Sequence, residues 1–390
     1  MSGPKPFEIS KHVVWEAYLR VKANGGAAGV DGESIEQFEA DLRGNLYKLW
    51  NRLSSGSYFP PPVRMVEIPK PGGSGEVRVL GVPTVADGIA QTAAAMVLEP
   101  EVEPMFHPDS YGYRPRRSAL DAVAVCRERC WRTDWTVDID IQGFFDNLDH
   151  DLVLRAVAHY TDQRWILLYV ERWLKAPLLH RSGELVARDC GSPQGSAISP
   201  LLANLFMHYA FDAWMERVFP AERLAECGGL RLHPDKTRIV YCRDGKRRGS
   251  YEHVSFTFLG YTFRSRKVRS RTGSYFFGFN PAISDEAAKR IRAQIRRWRL
   301  HLRSGSSLAD LAREINPVVR GWINYYGRFY PSALVPSLMG IDQYLMRWAT
   351  QKYKRLRRRR SRAWQGLAKT AKLYPGLFAH WKLLRPRTTG

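Results

Sequence analysis

"TVDIDIQGFFDNLDHDLV", residues 136–153, holds five aspartates and two phenylalanines and has no Lys or Arg. It lies in a chain with a formal net charge of +22, so the acids need a reason. The run "WTVDIDI" alternates as a short strand does, which predicts Asp138 and Asp140 on one face. An Asp at a strand end followed by a free carbonyl, here Ile141, suits a hard cation such as Mg²⁺. Nucleotidyl transfer is an in-line displacement in which two Mg²⁺ ions about 3.5–4 Å apart hold the attacking and leaving oxygens. The plainer reading is a solvated acidic strand end or a helix cap. Phe145 follows Asp140 by five positions, where a ring beneath a sugar would clash with a 2′-hydroxyl; taken alone, it is a core phenylalanine. His150, next to Asp149, reads as a capping or structural histidine.

Outward from this stretch, composition narrows the classes. The 390 residues suffice for two or three domains, and 44% hydrophobic with 25% charged residues is ordinary for a folded protein. Sixty Lys and Arg against 38 Asp and Glu point to a polyanionic partner, nucleic acid first and an anionic membrane surface second. No run approaches the length of a membrane-spanning helix, and "MSGPKPFEISKHVVWEAY" has no apolar signal core, so a cytoplasmic protein without a membrane partner is expected. Cys126, Cys130, Cys190, Cys227 and Cys242 form no disulfide framework and read as reduced thiols rather than zinc ligands.

The expected fold is α+β. Residues 1–55 read as mostly helical, broken at "NGGAAGVDG", where glycines suit a turn or a close backbone approach. "VRMVEIP" and "EVRVLGV" alternate as the arms of a hairpin around "KPGGSG". "GSPQGSAISP" places Gly191, Pro193 and Gly195 before a helix, with Ser199 as its cap and Pro200 at its first position. Its glycines allow close backbone approach and Gln194 can bond a base, although an ordinary loop could look the same. "TRIVYC" and "SFTFLGYTF" read as strands. After about residue 280 the chain becomes helical and basic. "SDEAAKRIRAQIRRWRLHLRS" has Ser284 as cap, Asp285 and Glu286 in the first turn, and Ile291, Ile295, Trp298 and Leu302 at helical spacing. "KYKRLRRRRSR" has no acid at all.

Taken in order, these strings resemble the reverse transcriptase/maturases encoded by bacterial group II introns, over nearly the whole length. The resemblance implies a right-hand polymerase: an N-terminal extension over 1–55, fingers and palm over 56–280, and an all-helical thumb and maturase-specific domain over 281–390. "IPKPGGSGEVRVLGVPTVAD" resembles the fingers hairpin, which implies Lys70 and Arg78 on the incoming triphosphate. "SYGYRPRRSALDAV" resembles the next block, with Arg114 and Arg116 near template. "DIDIQGFFDNLDH" is similar to the first palm motif, which implies Asp140 as catalytic metal ligand with Ile141, and Phe145 as sugar gate. "GSPQGSAISPLLANLF" resembles the motif that positions template and nucleotide, through Gln194 and Gly195. "GLRLHPDKTRIV" resembles the following palm motif, where Lys236 would protonate the leaving pyrophosphate. "FTFLGYTF" looks like the primer grip. "INPVVRGWINYY" and "RWATQKYKRL" resemble the RNA-gripping helices, which implies RNA contacts from Arg320, Trp322, Tyr325, Tyr326, Lys352, Lys354 and Arg355. The adjoining Arg357 and Arg358 extend that surface, unless the arginine run is only a solvated tail.

One block departs from the family. The Tyr-Ala-Asp-Asp hairpin expected between the "GSPQGS" helix and "LRLHPDK" is missing, with the junction near 220–221, and the chain has no Asp-Asp pair anywhere. Position 88 is Gly where the family tends to have Arg. The expectation is a protein that binds intron RNA with weak or no polymerase activity. The alternatives are an active RNA-directed DNA polymerase, using RNA template, DNA primer and deoxynucleoside triphosphates with Asp138, Asp146 or Asp212 completing the site, and a degenerate copy without function.

Overall fold

The computed structural model describes residues 5–69, 77–217, 233, 236–270 and 272–384. Lys70 and the 220–221 junction lie outside them. Helices and strands mix as an α+β fold, in two compact units that each draw on two chain segments.

The first unit spans Met1–Arg117 and Ile139–Pro234. It opens with three helices, α1 (Lys11–Asn24), α2 (Ile35–Glu39) and α3 (Leu42–Ser54). Strands β1 (Val63–Pro69) and β2 (Val77–Val82) pair antiparallel, with Arg64 opposite Val82 and Pro69 opposite Val77, as the alternation required. Helix α4 (Val85–Val102) crosses the core, and Thr84 caps it. In the second unit, described below, lie α5 (Ala119–Arg132) and β3 (Trp135–Asp138). The first unit resumes with α6 (His150–Tyr160), α7 (Arg164–Lys175), the short strands β4 (Leu178–Leu179) and β5 (Leu185–Val186), α8 (Ser199–Met207) and α9 (Ala213–Arg217). β1 also pairs parallel with β4, giving the order β2-β1-β4-β5. The core gathers Leu53, Ile89, Leu98, Val157, Ile166, Tyr169 and Leu205, none measurably exposed.

Arg64 fixes the "NGGAAGVDG" turn by donating from Nε and Nη2 to the Ala28 carbonyl, at 3.1 and 2.6 Å. A Cβ on Gly29 would stand 2.5 Å from the Thr84 Cα, so close backbone approach is what that glycine provides.

The second unit spans Ser118–Asp138 and Asp235–Gly390. β3 pairs antiparallel with β6 (Arg238–Tyr241), Trp135 facing Tyr241 and Asp138 facing Arg238. β7 (Phe256–Phe258), β8 (Tyr261–Arg269) and β9 (Tyr275–Ile283) form a three-stranded antiparallel sheet. Then come α10 (Asp285–Arg297), α11 (Leu308–Tyr326), α12 (Val335–Lys352), α13 (Arg360–Leu373) and α14 (Trp381–Leu384). Their core includes Leu311, Ile315, Val319, Leu338, Ile341, Leu345 and Trp348. Cys126, Cys130, Cys190 and Cys242 are free thiols. Thr136 Oγ1 lies 3.6 Å from Cys130 Sγ and 3.3 Å from Cys242 Sγ; the hydrogen bond with Cys126, and then burial, push the Cys130 thiol up to about 11, against the bonds with Cys242 and Thr136.

Four local expectations need correction. β3 ends at Asp138, so Asp140 stands beyond the strand. Ser199 lies inside α8 and makes no cap; its hydroxyl meets Ser192 Oγ at 2.6 Å. The long helix expected from 199 onward is interrupted by a π turn, His208–Asp212. α10 ends at Arg297, where Arg299 takes a left-handed φ of 48°. That turn rotates the following residues, so Leu300 is buried and Leu302 is 59% exposed.

Candidate active site

The loop after Ile139 is a compact turn stitched to the turn before α8. Asp140 is half-buried, and its carbonyl accepts from His233 N at 2.7 Å. Ile141 packs on the first unit's core. Gly143 takes φ 55°, and Phe144–Asp146 form one 3₁₀ turn. The Phe144 and Phe145 rings meet edge to face at 5.4 Å, both half-buried against the core. Phe145 therefore supports the turn while keeping part of its ring open.

Residues 190–196 answer it bond for bond. Ser192 N donates to the Phe145 carbonyl and Gly191 N to the Leu148 carbonyl, each at 2.7 Å. His150 Nε2 and the Gly191 carbonyl are 2.7 Å apart, the structural role expected for that histidine. Two glycines are obligatory here. Gly191 has φ 82° and a Cβ on it would lie 2.8 Å from the Asp146 carbonyl oxygen. Gly195 has φ 111° and a Cβ would lie 2.8 Å from the Gly81 oxygen. Gly81 N in turn donates to the Gln194 carbonyl at 2.7 Å. Strand β2, which carries the exposed Arg78, thus abuts the turn that carries Gln194 and Gly195.

Sequence reasoning missed what holds this turn from behind. Gln91 Oε1 accepts from Ala197 N at 2.9 Å and from the Ser196 hydroxyl. Gln91 Nε2 donates to Asp87 Oδ2 at 2.8 Å. Asp87 Oδ1 accepts from Tyr58 OH at 2.8 Å and from Trp173 Nε1 at 2.7 Å. Burial pushes the Asp87 carboxyl up to about 6 against these three donors. The available signal was a pair of polar residues four apart within the apolar helix "VADGIAQTAAAMVL". Beside them, a Cβ on Gly88 meets nothing within 4 Å, leaving room for the larger side chain of the family pattern.

Lys236 is exposed ahead of β6, in the second unit. Arg116 is exposed with φ 60°. Arg114 is turned inward. Its side chain is 5% exposed and pairs with Glu103 at 2.8 Å, while Nη1 donates to the His107 and Ser110 carbonyls at 2.7 and 2.9 Å. Tyr325 and Tyr326 are half-buried: Tyr325 OH donates to the Leu259 carbonyl at 2.9 Å, and Tyr326 packs on Tyr261 and Gly260. Trp322 is half-buried and stacks on Trp298 at 5.4 Å. Lys352 donates to the Ser306 carbonyl at 2.7 Å. Arg320, Lys354, Arg355, Arg357 and Arg358 are exposed.

Among the described residues no three His, Cys, Asp or Glu side chains are grouped to hold a metal ion. Mg²⁺ demands near-octahedral oxygen coordination. Asp140 and the Ile141 carbonyl alone do not fit the pair of ions that nucleotidyl transfer uses. Asp212 stands in the π turn 4.0 Å from His208, and Asp146 is exposed in the 3₁₀ turn. None of the described helices is long and apolar enough to cross a membrane.

Comparison with known proteins places this geometry. The reverse transcriptase (RNA-dependent DNA polymerase) family matches residues 68–224, and the group II intron maturase-specific domain matches residues 288–365. The chain is 32% identical over 198 residues to the group II intron-encoded protein LtrA of Lactococcus lactis subsp. cremoris, covering 50% of this chain and 32% of that protein. It is 35% identical over 192 residues to protein YkfC of Escherichia coli (strain K12), covering 48% and 49%. It is 31% identical over 200 residues to the putative COX1/OXI3 intron 1 protein of Saccharomyces cerevisiae, covering 51% and 24%. The match thus spans half or less of each relative's length. With the two domains in this order and relatives named as intron-encoded, the chain belongs to the group II intron reverse transcriptase/maturase family.

Proposed function

We propose that this chain binds intron RNA as a splicing protein, with DNA synthesis weak or absent. The observation that carries the reading is the absence of any Asp-Asp pair in the sequence beside an otherwise full motif set. Phe145, Gln194, Gly195, Arg78 and Lys70 would still order a template or nucleotide. Lys236 would still face a leaving phosphate. Divalent-metal chemistry at phosphorus, however, needs carboxylates on both ions, and Asp140 supplies one. RNA binding has no such requirement: phosphates, shape and stacking supply it. The division into an extension over 1–55, fingers and palm over 56–280 and an RNA-gripping region over 281–390 belongs to the same reading, as does action in the cytoplasm beside the transcript.

The test is primer extension on an RNA template with a DNA primer, deoxynucleoside triphosphates and Mg²⁺, run beside intron-RNA binding. Three proteins are compared: the chain itself, Asp140→Asn, and a version with a Tyr-Ala-Asp-Asp hairpin restored after Pro220. Restoration is expected to raise extension by about 10³-fold, ~4 kcal/mol of transition-state stabilisation. Extension by the unrestored chain that Asp140→Asn abolishes would show that another carboxylate completes the site. A chain that neither extends a primer nor binds RNA would be a degenerate copy.

A further inference from the structure

The second unit carries two grooves that share a wall. The larger, about 450 Å³, lies between α10 and α12; the smaller, about 260 Å³, continues from it to strand β8. Arg292, Pro336 and Ser337 line both. From α10 come Lys289, Arg292 and Arg296, at offsets of three and four, so they share one helix face. The helical rise sets them about 4–6 Å apart along the axis. From β8 come Arg264 and Arg266. Arg266 is aimed by its own bonds, Nε to the Asn280 carbonyl and Nη2 to the Thr262 carbonyl, each 3.2 Å.

The opposite wall is small and polar. Ser337 is buried, with its hydroxyl 3.3 Å from Arg292 Nη1, and Gly340 has open space where a side chain would stand. Gln343 and Tyr344 complete it. Tyr344 rests against His301 at 5.5 Å, and Arg347 lies over its ring at 5.4 Å.

The charge along this path is unbalanced. Asp285 is, among the described residues, the one acid in either lining. Among the described residues, Arg264, Arg266, Lys289, Arg292 and Arg296 enter no ion pair. Arg290, on the same helix but outside both grooves, pairs with Glu286 at 2.9 Å. Burial, and then Arg264, hold the Arg266 guanidinium below its usual range, with Tyr330 and Asp285 opposing them only in part.

We infer that this groove is a phosphate track that holds the sugar-phosphate backbone of one RNA strand, with Tyr344 taking a base or ribose face at its end. Guanidinium forks match phosphate oxygens, and Gln343 can bond a 2′-hydroxyl. The maturase-specific match, residues 288–365, covers both helical walls, which favours RNA over DNA. The inference rests on the RNA-binding reading and names the surface that does the work.

The test is the salt dependence of binding by the full chain, with a group II intron RNA and a DNA of the same sequence. The variants are K289Q/R292Q/R296Q and, on the same helix outside the grooves, R290Q. Losing three phosphate contacts should flatten the slope of log K against log salt by about 2, at roughly 0.7 per single-strand contact, and R290Q should leave it unchanged. In the unaltered chain, RNA should protect Lys289 from acylation by an amine-reactive reagent, a readout that needs no variant to fold. An unchanged slope in the triple variant while the parent binds RNA, or an unprotected Lys289, overturns the track alone. Failure of the parent to bind RNA overturns the broader reading with it. Equal flattening with DNA would show a track for phosphate in general and would overturn the assignment to RNA.

Discussion

Arg114 and Arg292 are the same residue in opposite circumstances. Arg114, in the loop after α4, points inward and gives its donors to Glu103 and two carbonyls. Arg292, on α10, points into an open groove beside other cations and meets one hydroxyl. Arg188 follows the first pattern, with Nε on the Ala176 carbonyl at 2.8 Å and burial bringing its guanidinium down to about 10. Residues 357–360 follow the second, exposed throughout. A +22 chain is therefore not uniformly an RNA surface. What decides whether an arginine is available to a partner is whether carbonyls and carboxylates of its own chain already surround it.

The sharpest way to break this contrast is Arg114→Ala. It leaves Glu103 and two carbonyls without their donor, and breaking a buried pair costs about 3–5 kcal/mol. Thermal melting should show a large drop, while the salt slope of RNA binding by the folded fraction should stay the same. A small drop would return Arg114 to the list of free cations.

The next effect tests the buried acid behind the turn. The folded pKa of Asp87, about 6, lies above the unfolded carboxylate value, so between roughly pH 4 and 6 the folded state binds more protons than the unfolded. Stability contributed by this group is thus greatest at low pH, falls as pH rises through that window by up to about 3 kcal/mol, and levels off above it. Asp87→Asn should lack this part of the slope when denaturant midpoints are compared across the window. Parallel profiles would mean that Asp87 titrates as an ordinary carboxylate.

The smallest change in stability belongs to the exposed run. Replacing residues 357–360 with Gln should alter the melting free energy by no more than about 0.5 kcal/mol, yet it should flatten the salt dependence of RNA binding, by roughly 0.7 per lost phosphate contact. An unaltered slope would make this run a solvated tail and leave the α10 groove as the basic surface to pursue.

Much of the local structure was legible because it depends on neighbours in sequence. Alternation gave β1 and β2, and the Ser284 cap with its acidic first turn gave the start of α10. The glycines of "GSPQGS" were legible as points of close approach, but not what they approach. Only folding brings the Gly81 carbonyl to Gly195 and the Asp146 carbonyl to Gly191. Gln91, a hundred residues earlier, was invisible as a support for the same reason. Tyr325 and Tyr326 read as RNA contacts because aromatic and basic residues mix around them; that mix gave no sign of their contacts with the β7–β8 turn.

By itself, the sequence determined the family, the order of its domains, the excess of positive charge and the missing Asp-Asp pair. These are properties of composition, periodicity and motif order, which no fold can alter. Tertiary structure alone decided that Asp140 stands past the end of its strand, that Arg114 is an internal brace and that Arg264 and Arg266 join Lys289, Arg292 and Arg296 in one groove. Burial and hydrogen-bond pairing are set by residues far away in the chain, so a side chain's availability to a partner is a property of its surroundings and not of its type.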